Sequence, residues 1–393
     1  MPDDQVSVVV LYNYIGEDVY EQIQQMDPAK LGFEPEYDIR VATVEEEYKA
    51  VARALRDEGY HARVYNVRED LRRLERVLRR NPPDVVFNLV EHFHDDPALE
   101  PHVAALLELH GIAYTGAPPF ALTLCQRKGL TKQVLLANGV PTPKFQLVWE
   151  PSTLSRRHGL HFPLIVKPAR EDASTGVEKE SVVYDDEMLR MRLAQVQEDF
   201  EPPFLVEEFI EGRELHVAVL GNNPPEVLPP IEIDFSRLPA DHPHIISYDA
   251  KWNPLKEIYH QVDTVCPPRL TIRQWELIEE VALKAFEVTG CRDYARLDIR
   301  LAPRNKVYVL EVNPNPDLTE GVSLMDSAEV AGYEFSEALS LIVECALDRQ
   351  VDLPEAFTPA PEIDVPEGLR AEVPEAAEAA SEPPSDVVRE ASP

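Results

Sequence analysis

The reading of this chain turns on Arg296-Leu297-Asp298-Ile299-Arg300 and Val307-Tyr308-Val309-Leu310-Glu311-Val312-Asn313, joined across Pro303 to Asn305. Read as a β-hairpin, the alternation puts Arg296 and Asp298 on one face of the first strand and Glu311 and Asn313 on one face of the second. Three oxygen ligands and one guanidinium then converge on a single patch. Oxygen donors that leave hydration sites free are how proteins hold Mg2+ against nucleotide phosphates, and an adjacent arginine stabilises an oxyanion forming beside the metal. Those are the parts needed for phosphoryl transfer to a carboxylate. A half-buried strand pair with a surface salt bridge reads the same way on this stretch alone, so partners elsewhere in the chain decide.

Upstream, Gln126 to Asn138 predicts a helix carrying Lys128 and Lys132, with Gly139 as its stop and Pro141 and Pro143 beyond. Leu160 to Lys167 predicts a strand ending in Val166-Lys167-Pro168, followed by the turn Arg170-Glu171-Asp172-Ala173-Ser174-Thr175-Gly176. A small-residue turn lets backbone N–H groups approach phosphate oxygens while the lysine supplies countercharge; a solvent-exposed reverse turn has the same texture. In Phe204 to Leu220 two strands flank a bend at Gly212. The first can offer backbone donor and acceptor groups to an adenine edge, leaving Glu214 for ribose hydroxyls, against the reading of a plain hairpin. Asp249-Ala250-Lys251-Trp252 reads as a loop with few apolar neighbours, where a lysine is usually solvated. Ile272 to Thr289 and Glu334 to Asp348 are long amphipathic helices.

Toward the N-terminus, Val6 to Tyr12, His61 to Val67 and Asp84 to Val90 read as strands. Val44 to Glu58, Leu71 to Leu78 and Pro101 to Leu109 read as the helices between and after them, closed by Gly59, Pro82-Pro83 and Gly111. Strand and helix alternating at this length is an open parallel sheet over roughly residues 1 to 118. Tyr14 to Thr43 is a long insert, and such loops are more often functional or mobile than inert. His92-Phe93-His94-Asp95-Asp96 follows the third strand, where open α/β sheets meet ligands. Its spacing matches no closed metal site, which favours a substrate-lining or solvated loop.

The chain is long enough, at 393 residues, for two or three domains, and its 44% hydrophobic and 28% charged residues are those of a globular protein. No apolar run approaches the ~18 residues of a spanning helix, and the acidic Met1-Pro2-Asp3-Asp4-Gln5 is unlike a signal peptide, so a cytoplasmic protein with no membrane partner is expected. Cys125, Cys266, Cys291 and Cys345 are scattered without CxxC spacing, which points to free thiols. A net charge of -33 argues against nucleic acid, whose phosphates need a basic surface. Part of that charge lies in the Pro-, Glu- and Ala-rich stretch Val351 to Pro393, expected to be a disordered acidic tail.

Taken in order, Lys128, Lys167-Pro168 with its small-residue loop, Val206-Glu207-Glu208-Phe209-Ile210 with Gly212-Arg213-Glu214, Ala250-Lys251-Trp252, Arg296-Leu297-Asp298 and Glu311-Val312-Asn313 resemble the ATP-grasp superfamily. Within it the resemblance is to D-alanine-D-alanine ligases, from about Asp84 to Asp348. It implies an N-terminal α/β domain of residues 1 to 118, an ATP-grasp lid from 119 to 215 and a catalytic part from 216 to 350, with family members often homodimeric through the first. It also implies ATP and Mg2+, or Mn2+, as cofactors. Lys128 and Lys167 would contact phosphates, Ser174, Thr175 and Gly176 would cover them, and Lys251 would stand near the γ-phosphate. Glu208, Phe209 and Ile210 would line the adenine with Glu207 nearby, and Glu214 would take the ribose. Asp298, Glu311 and Asn313 would hold two Mg2+ ions, and Arg296 would stabilise the tetrahedral oxyanion. In the family's chemistry a carboxylate is phosphorylated to an acylphosphate, which an amine captures as an amide.

The departures from that pattern fall on the amino acid side. Ala173 and Trp252 stand where D-alanine-D-alanine ligases usually have a serine and a tyrosine, and Leu11-Tyr12-Asn13-Tyr14 lacks the family's glutamate-bearing glycine-rich turn. Asp317 replaces a glycine after the last metal ligand, and Val322 aligns with a substrate-binding serine, leaving Ser323 one position off. The resemblance therefore implies a carboxylate-amine ligase acting on small molecules other than two D-alanines. The alternatives are a non-catalytic ATP-binding protein and an ATP-grasp kinase of small molecules. Against the first stand Arg296, Asp298, Glu311 and Asn313, since unpaired charges in a pocket are costly to keep without use.

Overall fold

The computed structural model describes residues 5–349, apart from 16–18, 27, 29–30, 40, 155–158 and 172–173. The acidic tail expected from Val351 to Pro393, and Ala173, lie outside the described residues. An N-terminal parallel sheet has the order His61–Asn66, Ser7–Tyr12, Val85–Leu89, Ala113–Tyr114. Its central strand, Ser-Val-Val-Val-Leu-Tyr, is apolar without alternation because helices cover both faces. Helix Val44–Asp57 begins in a reciprocal cap: the Thr43 hydroxyl accepts the Glu46 N–H and the Glu46 carboxylate accepts the Thr43 N–H.

A second, antiparallel sheet runs Phe145–Val148, Phe204–Glu208, Leu164–Pro168, Val182–Val183, backed by helix Asp186–Asp199. Its own small core includes Leu164, Val166, Leu189, Leu193 and Val206. The strand expected from Leu160 starts only at Leu164, after Pro163, which has no N–H to give to a ladder. The third and largest sheet is antiparallel, in the order Asp263–Val265, Ile231–Asp234, Arg213–Leu220, Tyr294–Ala302, Lys306–Asn313. Helix Ile272–Thr289, capped by Thr271 and ended by Gly290 in the left-handed conformation, packs on one side of it.

Two boundaries differ from the sequence reading. The strand Arg213–Leu220 lies entirely in the large sheet, so the chain leaves the second sheet at Gly212 and not between 215 and 216. Gly212 has φ 150, and a Cβ there would stand 2.4 Å from the Leu301 carbonyl oxygen, so only glycine lets the backbone cross at this point. The helices Pro119–Cys125 and Lys128–Ala137, expected in the lid, pack instead with Ile272–Thr289 and the N-terminal helices in one core.

Among the described residues of the insert Tyr14 to Thr43 are the short helix Val19–Gln24 and a stretch around Phe33 to Tyr37 held by distant contacts. The Tyr37 N–H donates to His260 Nδ1 at 3.2 Å, the Phe33 and Tyr37 rings stand 5.3 and 5.9 Å from that imidazole, and Glu36 pairs with Arg237 at 3.2 Å. Asp293, fully buried, accepts the Gly116 N–H at 2.8 Å and Asn222 Nδ2 at 2.9 Å and pairs with Arg349, which locks the last helix and the N-terminal sheet onto the large one. All four cysteines are free thiols. Among the described residues no helix is long and apolar enough to cross a membrane.

Candidate active site

The hairpin register sets Arg296 opposite Asn313 and Asp298 opposite Glu311, so cross-strand pairing alone gathers these four side chains on one patch. Arg296 grips Asp298 with two bonds, Nε to Oδ1 at 2.8 Å and a terminal nitrogen to Oδ2 at 3.2 Å, and Asn313 Nδ2 reaches Oδ2 at 3.3 Å. Burial would raise the Asp298 carboxyl, but Arg296 and His216 hold it far below the usual carboxylate range. Glu311 is likewise held below its ordinary value against burial, by an ion pair with Lys128.

Immediately beyond Asp298 the register slips, so that Ile299 pairs with Val309 and Leu310 is the extra residue of a bulge. The freed Leu310 carbonyl accepts a hydrogen bond from Lys132 Nζ at 2.9 Å. Lys132, 1% exposed, also bonds Thr142 Oγ1 at 2.9 Å and pairs with Glu207 at 2.8 Å, and Lys167 pairs with the other Glu207 oxygen at 2.7 Å. Burial would raise Glu207, but Lys132 and Lys167 outweigh it and keep the carboxylate ionised. Glu207, expected beside the adenine, is thus committed to two lysines and acts by holding Lys167 in place. Lys132 carried no expected role; its signal was its place four residues after Lys128, on the same helix face.

Lys251, expected in a solvated loop, sits half-buried on the short helix Tyr248–Trp252, whose Ser247 cap accepts the Ala250 N–H at 3.3 Å. Burial and the Arg296 charge push its ammonium below the ordinary lysine value, and Nζ lies 5.0 Å from the centre of the Trp252 ring. The small-residue turn is folded over against this helix: the Val177 N–H donates to the Ser174 carbonyl at 2.9 Å and the Tyr248 N–H to the Val177 carbonyl at 3.1 Å. Ser174 is left-handed at φ 63, Thr175 and Gly176 are half-buried beside it, and Arg192 holds the Gly176 carbonyl at 2.7 Å.

On the strand-to-bend segment, the Glu208 carboxylate meets His161 at 2.7 Å and the Phe209 N–H donates to Pro163, whereas the half-buried Ile210 has no such backbone acceptor among the described residues. Glu214 pairs with Arg300 at 2.6 Å, and Arg300 also donates to the Gly212 carbonyl at 2.9 Å and to the His244 carbonyl, its guanidinium 5.4 Å from the Phe209 ring centre. His216, two residues after Glu214 and directly opposite Asp298, shares the patch; its Nε2 lies 3.8 Å from Asp298 and its Nδ1 3.5 Å from Ser323 Oγ. Burial pushes its pKa down to about 4.

A different set lines the side facing the N-terminal sheet. Glu91, just past Val85–Leu89, keeps solvent contact, yet the protein crowded around it and the Asp317 charge push its pKa up to about 7 against Lys251. Tyr12 and Tyr48 lie nearby with ring centres 4.6 Å apart and planes tilted by 40°, and Tyr48 feels the charges of both Glu91 and Asp317.

The oxygen donors Asp298, Glu311 and Asn313 share one face with Lys128, Lys167 and Lys251 close by, a donor set that fits hard divalent cations and nucleotide phosphates. A model of the D-ala D-ala ligase C-terminus matches residues 134–344. The chain belongs to the D-alanine-D-alanine ligase family. The D-alanine-D-alanine ligase of Moorella thermoacetica is 32% identical over 309 residues, which span 76% of this chain and 93% of that protein. The "Uncharacterized protein y4sG" of Sinorhizobium fredii is 32% identical over 283 residues, 70% of this chain and 80% of that one. The crystal structure of D-alanine-D-alanine ligase from Bacillus anthracis complexed with ATP superposes with a TM-score of 0.65 at 21% identity, over 88% of this chain and 98% of its own, and shares the fold. This member of the D-alanine-D-alanine ligase family is accordingly an ATP-grasp ligase, with mixed parallel and antiparallel sheets.

Proposed function

We propose that the chain is an ATP-dependent, ADP-forming carboxylate-amine ligase that works through an acylphosphate and whose substrates are not two D-alanines. In the first step a carboxylate oxygen attacks the γ-phosphorus of ATP and the bond to ADP breaks. In the second an amine attacks the acyl carbon, inorganic phosphate leaves, and the ammonium gives up its proton. Asp298, Glu311 and Asn313 would hold Mg2+, or Mn2+, which supplies charge neutralisation to the transferring phosphoryl group. Lys128 and Lys167, released from Glu311 and shared with Glu207, would bind phosphates, and Lys251 would stand near the γ-phosphate. Arg296, buried and fixed by Asp298, is placed to meet an oxyanion forming beside the metal patch. Ser174, Thr175 and Gly176 would cover the phosphates and keep water from the acylphosphate. The Ile210 N–H and neighbouring backbone of Glu208 and Phe209 would take the adenine, and Glu214 the ribose.

The observation that carries the substrate reading is the wall of Glu91, Asp317, Tyr12 and Tyr48 opposite the nucleotide side, with Trp252 committed to Lys251 and Ser323 beside His216. Acidic groups in a cleft suit an ammonium-bearing amino acid or peptide, and the two aromatic rings give it a shape unlike the site for a methyl side chain. The test is Mg2+-dependent ADP release against pooled amino acids and dipeptides, D-alanine alone among them, with mass spectrometry on active pools. ADP together with a product lighter by one water than the summed substrates is expected. Normal turnover on D-alanine alone refutes the substrate reading, a phosphorylated product makes the chain a kinase, and tight ATP binding with no turnover in any pool favours a sensor or a substrate outside the pools.

A further inference from the structure

The loop His92 to Asp96 takes no part in the site above. It is closed on itself, Phe93 and Asp96 exchanging backbone hydrogen bonds at 3.2 and 3.1 Å. One buried side chain, just past the strand Ser7–Tyr12, joins it to the turn after His61–Asn66 on the far side of that strand: Asn13 Nδ2 donates to the His92 carbonyl at 2.9 Å, and Asn13 Oδ1 accepts the Glu69 N–H at 2.8 Å. A glutamate 23 positions away in sequence from His92, which no local spacing foretells, is thereby fixed against the loop. The ligand atoms of Glu69, His92 and Asp95 all lie within 4.8 Å of one another. Behind them His94 Nδ1 stands 3.2 Å from Glu69 Oε2, able to orient that carboxylate.

We propose that Glu69, His92 and Asp95 bind one divalent first-row transition ion, at a site separate from the Mg2+ patch of Asp298, Glu311 and Asn313 and independent of the ligase reading. One imidazole nitrogen with two carboxylate oxygens is the donor set that suits Zn2+ and its neighbours in the series, and the imidazole disfavours Mg2+ and Ca2+. Between Zn2+ and Mn2+ the general affinity order selects Zn2+. Three protein ligands leave the remaining positions to water, in keeping with the exposed Asp95. The hydrogen bond from His94 to Glu69 is the outer-sphere contact that holds a ligating carboxylate in one orientation. Glu91 immediately precedes His92 in the chain, so an ion here would clamp the loop that carries the cleft carboxylate.

The experiment titrates the full-length protein with Co2+ as spectroscopic probe, reading visible absorbance, and then displaces it with Zn2+. It is repeated on Asp298→Asn with Glu311→Gln, on His92→Ala, on Glu69→Gln and on His94→Ala, each checked for native circular dichroism. The expected result is one Co2+ equivalent retained in the Asp298→Asn, Glu311→Gln protein and displaced by Zn2+. Affinity should fall at least a hundredfold in His92→Ala and in Glu69→Gln, and about tenfold in His94→Ala, the size of an outer-sphere loss. Absence of the Co2+ band, its loss with the Asp298 and Glu311 substitutions, or its survival in both His92→Ala and Glu69→Gln overturns the proposal.

Discussion

Replacing Lys132 by methionine keeps an unbranched apolar stem one atom shorter and removes a charge that is 1% exposed and bonded to Glu207, Thr142 and the bulged Leu310 carbonyl. Breaking a buried ion pair from one side costs on the order of 3–5 kcal/mol because the remaining charge is left uncompensated. Here Lys167 still pairs with Glu207 at 2.7 Å, so the lower end applies to the carboxylate, about 3 kcal/mol. Leaving the Leu310 carbonyl without its donor adds roughly 1–2 kcal/mol. The expected loss is therefore about 4 kcal/mol, read by equilibrium urea unfolding. A second consequence follows on function. As sole partner of Glu207, Lys167 is less free to turn to a phosphate, and the KM for ATP should rise roughly tenfold, the equivalent of ~1.4 kcal/mol. Adding Glu207→Gln to Lys132→Met removes the stranded charge and should restore at least about 1 kcal/mol together with the KM. A loss under about 1 kcal/mol in Lys132→Met, or a double variant no more stable than the single one, would refute the reasoning that these lysines are held by charge and not by packing.

Asp298→Asn and Glu311→Gln should each lower ADP release by at least two to three orders of magnitude, the size of removing one element of transition-state charge stabilisation, while nucleotide binding measured without metal is retained. Gly212→Ala forces a Cβ to within 2.4 Å of the Leu301 carbonyl in a conformation L-residues avoid; a loss of roughly 1–3 kcal/mol is expected, and a protein as stable as the parent in urea would show that the crossing is not tight. His216 titrates near 6.5 in an unfolded chain and at about 4 in the fold, so the unfolded form takes up a proton first as the pH drops. Its contribution is present above pH 6.5 and is lost between there and about 4, roughly 3 kcal/mol at ~1.4 kcal/mol per pH unit, and His216→Asn should flatten stability against pH across that window.

The hairpin was legible because its pattern is local: period two and a turn put Arg296, Asp298, Glu311 and Asn313 on one face, and the register adds only that they pair in two rows. The parallel sheet was legible from apolar runs spaced by capped helices. What local pattern missed was everything decided by distant partners. Lys251 lies in a stretch with few apolar residues and gains its burial from the cleft around it, not from its neighbours in the chain. Lys132 and Glu207 lie 75 positions apart and meet only because a helix and an antiparallel strand cross behind the hairpin. The edge at Gly212 was placed three residues late because the strand pattern continues through Arg213, Glu214 and Leu215, and nothing in that run reveals which sheet it joins. Phe33 and Tyr37 of the insert after the first strand are held by His260, more than two hundred residues on.

The ion pair between Lys128 and Glu311 joins the group that would meet a phosphate to the group that would meet a cation. In those roles neither could engage its ligand fully while holding the other, so whichever ligand arrives first would meet the cost of parting the pair and the second would not meet it again. By thermodynamic linkage the benefit is mutual: magnesium should tighten nucleotide binding by the same factor as nucleotide tightens magnesium binding. On those roles the pair would be a logical gate of two charges, one that favours loading the metal-nucleotide complex as a unit and resists either half alone.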